Sequence, residues 1–174
     1  HINPLTGLEV SDPDLLERRP VAVKITNGPR SVRPQYGLSL ADHVFEYYQE
    51  AGSTRFNAIF YGQDAEYVGP IRSARFADEH IVHIYKSVFA YGSADARVLW
   101  RLFDTGYGKR FVSISDNPCP PTLESPTCRT DPEVYNSLMS NPALLSQHIS
   151  EHRIDNSRQN LDGLVFMAPA PEGC

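Results

Sequence analysis

The 174-residue chain carries a net charge of −5, a hydrophobic fraction of 41% and a charged fraction of 21%, values that set disorder aside and leave room for one domain with a real core. The acidic balance argues against a nucleic-acid partner, whose footprint is a basic excess or stripe. No apolar run approaches the roughly 20 residues that a membrane-crossing helix needs.

In chain order, Asn3-Pro4, Thr6-Gly7 and Asp12-Pro13 are turn signals, so residues 1–19 read as an extended arm with a short helical turn over Asp12–Arg18. Val21, Val23 and Ile25 alternate as a strand that stops at Asn27-Gly28-Pro29, and a loop runs on to Gly37. Residues 43–61 admit two readings. Leu40, Val44, Phe45 and Tyr48 form a helical stripe behind a Ser39 cap, but His43–Tyr48 and Thr54–Tyr61 are rich in β-formers and flank an Ala51-Gly52 turn. The hairpin is the reading adopted.

After the break at Gly69-Pro70 the pattern predicts a helix over Ser73–Tyr85 and a strand over Ser87–Tyr91. A second helix, capped by Ser93, runs through Leu99, Trp100 and Phe103 to Gly106. A strand over Phe111–Ser115 follows, then two short helices opened by Asp131-Pro132 and Asn141-Pro142, and a last strand over Leu164–Met167. Strands interleaved with helices, plus one hairpin, give an α/β fold with a mixed sheet. The organisation expected is the arm over 1–19 and a single α/β domain over 20–174, cut short of a C-terminal domain.

Chemistry concentrates between residues 30 and 75, where Arg30, Arg33, Arg55, Arg72 and Arg75 stand against Asp42, Glu46, Glu50, Asp64 and Glu66. A hairpin places Glu46, Tyr48 and Glu50 on one strand face with Arg55 just across the turn. Gly69 to Arg75 adds two arginines and the Ser73 hydroxyl at a helix start, a combination suited to an anion. The candidate ligand-binding set is therefore Arg33, Glu46, Glu50, Arg55, Arg72, Ser73 and Arg75. The same set also reads as a brace knitting a loop to the hairpin. Thirteen of the sixteen basic residues are arginine, which fits either genomic base composition or a demand for bidentate pairing.

No catalytic motif is complete. Glu46 and Glu50 as a glycosidase pair would stand roughly 13 Å apart along a strand, beside arginines that depress rather than raise a carboxyl pKa. His80/His83 and His148/His152 each share a helix face, yet neither forms His-Glu-x-x-His and no third ligand is indicated, so no metal and no cofactor is assigned. There is no Gly-x-Ser-x-Gly elbow and no phosphate-cradling glycine loop. Cys119 and Cys128 bracket a proline-rich stretch and read as a disulfide, the alternative being two free thiols; Cys174 is left over, as a partner to something beyond the chain or a free thiol.

One ordered string ties these residues together. Asn3-Pro-Leu-Thr-Gly7, Arg19-Pro-Val-Ala-Val23, Asn27, Arg33-Pro-Gln35, Gly37-Leu-Ser39, Ala41-Asp42, Glu46, Glu50, Thr54-Arg-Phe56, Ala58-Ile-Phe60 and Gly69 through Arg75 resemble the N-terminal domain of the YerB-like bacterial lipoproteins over residues 3 to about 115. Tyr91-Gly92-Ser93 departs from that family's His-Ala-Gly-Gly-Ser-like run, and the cysteine-bracketed segment is foreign to its pattern. The resemblance implies a layered α/β sandwich on the outer face of the cytoplasmic membrane, tethered by a lipidated cysteine upstream of His1. It carries no catalytic residue, because the family is a domain of unknown function, and an oxidising location fits a Cys119–Cys128 bridge. The reading that results is a non-enzymatic extracytoplasmic module recognising an envelope component or partner protein. Its rivals are an envelope hydrolase or metal-dependent enzyme using the same carboxylates or a histidine pair, and a structural cluster supporting a C-terminal domain.

Overall fold

The middle of the molecule is β1 (Val21–Thr26), all six of whose residues are buried. The computed structural model describes residues 1–50, 52–112, 114–164 and 166. β1 pairs antiparallel with β3 (Thr54–Phe60), from Val21↔Phe60 to Thr26↔Arg55, and β3 pairs antiparallel with β2 (His43–Tyr48). On its other edge β1 runs parallel to β4 (Val88–Ala90), which runs parallel to β5 (Phe111–Val112), so the sheet order is β2-β3-β1-β4-β5. The hairpin expected over 43–61 is present, although Ala51 lies outside the described residues.

Side chains alternate across the sheet, and each face carries its own core. Val21, Val23 and Ile25 join Ala58, Phe60, Val88 and Ala90 beneath Leu145 and Ile149 of α3 (Pro142–Glu151). Ala22, Ile59, Tyr61 and Phe89 pack instead on Ile81, Val82 and Tyr85 of α1 (Phe76–Tyr85) and on Val98 and Leu102 of α2 (Ala96–Asp104). The result is the mixed-sheet, layered α/β sandwich expected from the sequence. α3 begins where Asn141-Pro142 predicted, with the Asn141 side chain accepting from the Leu144 N–H at 3.0 Å.

Four local expectations are corrected. Residues 131–137 form tight turns in place of a helix, because the Asp131 carboxylate accepts from Glu133 N–H and the Ser137 hydroxyl donates back to Asp131 and Val134 carbonyls. They lead into a small antiparallel pair, β6 (Thr127–Arg129) with β7 (Leu138–Ser140). Leu164 and Phe166 are not in a strand, and Val165 and Met167 lie outside the described residues, as does Cys174. The first long helix begins at Phe76 instead of Ser73. The second is capped by Asp95, whose carboxylate accepts from Arg97 N–H, and it buries Val98 and Leu102 while leaving Trp100 and Phe103 exposed.

The segment 1–19 is docked. Asn3 Nδ2 donates to Asp42 Oδ1 at 2.6 Å, and Asp42 Oδ2 accepts from the N–H groups of Tyr61 and Gly62. A side chain at position 62 would meet that clasp, its Cβ falling 2.5 Å from Asn3 Nδ2, so the Asn3 amide would have to shift. Leu5 and Leu16 are buried in the core of α1 and α2.

A disulfide joins Cys119 to Cys128, nine positions apart, and Cys128 belongs to β6. The paired variant Cys119→Ser/Cys128→Ser is expected to lose about 2 to 3 kcal/mol of unfolding free energy by release of loop-closure entropy. Denaturant melts under non-reducing conditions check it.

Candidate functional site

Strand parity brings three polar side chains to the face that α1 covers. Lys24 on β1, Tyr47 on β2 and Asn57 on β3 meet Asp78 in the first turn of α1. Lys24, Asn57 and Asp78 are fully buried, with Lys24 Nζ 3.3 Å and Asn57 Nδ2 2.7 Å from Asp78 Oδ1. The Tyr47 hydroxyl lies between Lys24 and Asp78 and bonds both. The second Asp78 oxygen accepts from Arg75 N–H at 2.6 Å, which fixes the start of α1. Burial lowers the Lys24 ammonium to about 8, opposed by the neighbouring Asp78, and burial also pushes the Tyr47 phenol well up, so Tyr47 stands as a neutral donor.

Sequence reading missed this group. Its one visible signal is a lysine inside the otherwise apolar run Val21-Ala-Val-Lys-Ile25, a charge that a central strand tolerates only with a partner.

In front of the network a groove of about 460 Å³ opens between the first turns of α1 and α2 and the hairpin tip. Arg55, on the same face as Tyr47 by register, reaches past the strand end to donate through Nη1 to the Ser73 carbonyl at 2.6 Å. Arg75 donates through Nη1 to the Ala74 carbonyl at 2.8 Å and turns Nε and Nη2 onto Glu50, at 3.0 to 3.2 Å from its oxygens. The Ser73 and Ser93 hydroxyls are bonded to each other at 2.8 Å on the wall. Phe76 and Val98 supply apolar lining. Arg55 is held down to about 10, first by burial and then by the like charges of Arg75 and Arg72, and remains cationic at neutral pH.

The seven sequence candidates do not form one site. Glu50, Ser73 and Arg75 line the groove, and Arg55 is tied to it from outside through the Ser73 carbonyl. Arg72 sits on its flank, its guanidinium 4.1 Å from the centre of the Tyr135 ring and beside a smaller hollow of about 100 Å³. Arg33 and Glu46 belong elsewhere: Arg33 donates to the Asn27 carbonyl and side-chain oxygen, while Glu46 accepts from Asn27 Nδ2 at 2.8 Å and Thr54 Oγ1 at 2.6 Å. That second set is a brace between the end of β1 and the hairpin.

The histidine pairs converge on nothing further. His83 packs on Tyr107, and the His148 and His152 rings lie 4.2 Å apart with each Nδ1 hydrogen-bonded to a backbone carbonyl. Among the described residues no three His, Cys, Asp or Glu side chains gather in a way that could hold a metal ion.

Residues 5–152 match the family model described as protein of unknown function (DUF3048), N-terminal domain. The chain is 48% identical over 88 residues to the Bacillus subtilis (strain 168) protein named "Putative lipoprotein YerB", an alignment spanning 51% of this chain and 26% of that protein. Its fold matches the crystal structure of the YerB protein from Bacillus subtilis with a TM-score of 0.79 and 28% identity, over 96% of this chain and 55% of that one. The chain thus spans about a quarter of the curated relative by sequence alignment and about half of the crystallised one.

Proposed function

The chain belongs to the DUF3048 N-terminal domain family, and on that footing we propose that it is a non-enzymatic, extracytoplasmic recognition domain that binds an anionic group of an envelope component or partner protein in the groove lined by Ser73 and Arg75, next to Arg55. The lipoprotein name of the relative supports placing the domain on the outer face of the membrane, held by a lipid anchor, and the Cys119–Cys128 bridge suits an oxidising compartment.

The observation that carries the reading is an imbalance of charge. Among the described residues, Arg55 and Arg72 have no carboxylate within 4.0 Å, and Arg75 has one, the exposed Glu50. Guanidinium groups held partly out of water beside one another repel, and that cost is offset when an anion joins them. The buried Lys24 and Asp78 and the half-buried Tyr47 fix the groove wall through Arg75 N–H; they serve position.

Arg55→Ala and Arg75→Ala are each expected to weaken binding of anionic envelope fragments by about 10- to 100-fold, the worth of a charge-assisted hydrogen bond. Both side chains are only partly buried, so melting temperatures should move by no more than a few degrees. Titration of each variant alongside its thermal melt checks this. Strong destabilisation with unchanged binding would sink the reading.

A further inference from the structure

We infer that Glu50 is a tethered stand-in for the ligand: the groove is built for a free carboxylate, such as the C-terminus of a peptide, and the hairpin tip occupies that position until such a carboxylate displaces it. This rests on the recognition reading above and deepens it. The contact itself shows the class of group preferred. Arg75 presents Nε and Nη2 side by side, with Nε at 3.2 Å from both Glu50 oxygens and Nη2 at 3.0 Å from one of them, which is the planar fork that fits a carboxylate edge-on.

Three features make Glu50 exchangeable. Its side chain is 71% exposed, and an ion pair that open to water contributes little. Among the described residues no side chain other than Arg75 donates to its carboxylate. The turn that carries it is closed through the backbone, by Gln49 N–H to the Ser53 carbonyl at 2.9 Å and Ser53 N–H to the Glu50 carbonyl at 3.3 Å. The side chain can therefore swing out without unzipping the hairpin. Arg75 holds the Glu50 carboxyl below its ordinary range, so the stand-in is anionic at neutral pH.

Once Glu50 leaves, an incoming carboxylate meets the Arg75 fork with the Arg55 charge behind it. The Ser73 and Ser93 hydroxyls lie on one side, and Phe76 and Val98 offer apolar surface to the residue bearing the carboxylate. A phosphate is the contrasting anion, because its tetrahedral oxygens match the planar fork along one edge only.

The test titrates the 174-residue chain calorimetrically with N-acetyl-dialanine, with its C-terminal amide, and with inorganic phosphate. Glu50→Gln, isosteric and uncharged, is expected to bind the free acid about two- to fivefold more tightly than the wild type, the range an exposed competing ion pair supplies. The amide should bind to neither. Arg75→Lys, which keeps the charge and loses the fork, should abolish the gain when combined with Glu50→Gln. Equal affinity in wild type and Glu50→Gln, with binding still lost in Arg75→Ala, would overturn the stand-in and leave the recognition reading intact. Phosphate binding more tightly than the acid would overturn the carboxylate class. Absence of binding by every anion to both proteins would bring down the recognition reading itself.

Discussion

Asp78→Ala is expected to cost about 3 to 5 kcal/mol of unfolding free energy, the penalty for removing one partner of a buried ion pair. The asymmetry within the network makes this test sharp. Asp78 accepts from four donors, Lys24 Nζ, the Tyr47 hydroxyl, Asn57 Nδ2 and Arg75 N–H. Lys24 has two acceptors among the described residues, Asp78 and Tyr47. Deleting the carboxylate strands a buried ammonium and three further donors, whereas Lys24→Met leaves Asp78 with three donors and a chain of similar volume. Lys24→Met should therefore cost much less than Asp78→Ala. Urea denaturation of the two variants decides it, and equal losses would mean that the Tyr47, Asn57 and Arg75 donors do not satisfy the Asp78 carboxylate without Lys24.

The pH dependence of stability follows from the same burial. Folding lowers Lys24 from 10.5 to about 8, so between those values the unfolded chain binds more protons than the folded one. Stability then rises with pH across the window, by about 1 kcal/mol per unit at its steepest, while well below pH 8 the cost of burying the charged Lys24 is fully present and adds no pH dependence. The rise should vanish in Lys24→Met. Without a difference between the two curves over that range, Lys24 would have to be better solvated than its complete burial implies.

How much of this was legible depended on whether the controlling signal was local. The hairpin could be read because His43–Tyr48 and Thr54–Phe60 are β-rich runs around a glycine turn, and α3 because Asn141 caps directly ahead of Pro142. The start of α1 could not. Residues 72–74 spend their backbone groups on distant partners, Arg72 N–H on the Lys24 carbonyl and Ala74 N–H on the Ser93 carbonyl, so the helix waits until Arg75. The same contact removes Ser93 as a cap and passes that role to Asp95. At the site, composition placed arginines near glutamates, yet nothing local distinguishes Glu46, tied to Asn27 and Thr54, from Glu50, which lies past the end of β2 and turns to Arg75. Lys24 showed only as a charge in an apolar run: its partners Tyr47 and Asp78 come from β2 and α1, and only the packing of that helix on the sheet brings them together.

Leu16→Ala is expected to cost roughly 3 to 4 kcal/mol, a core-sized loss from a residue in the segment that reads as an extended arm. Leu16 is 1% exposed and packs in the cluster that holds Ile59, Tyr61 and Phe89, so truncation leaves a cavity that the rigid sheet cannot close. The surrounding contacts oppose collapse. Tyr61 donates its hydroxyl to the Leu16 carbonyl at 2.7 Å, Arg18 pairs with Asp64 at 2.6 Å, and Arg19 bonds the Lys86 and Asp155 carbonyls at 2.9 and 2.6 Å. Leu8→Ala is the internal control: with 67% of that residue exposed, its change should stay within about 0.5 kcal/mol. Equal, small losses at both positions would make residues 1–19 an appendage. A large loss at Leu16 alone would make them part of the domain, with a consequence for the groove. The clasp from Asn3 to Asp42 sets the entry to β2, and β2 leads to the turn that places Glu50 on Arg75.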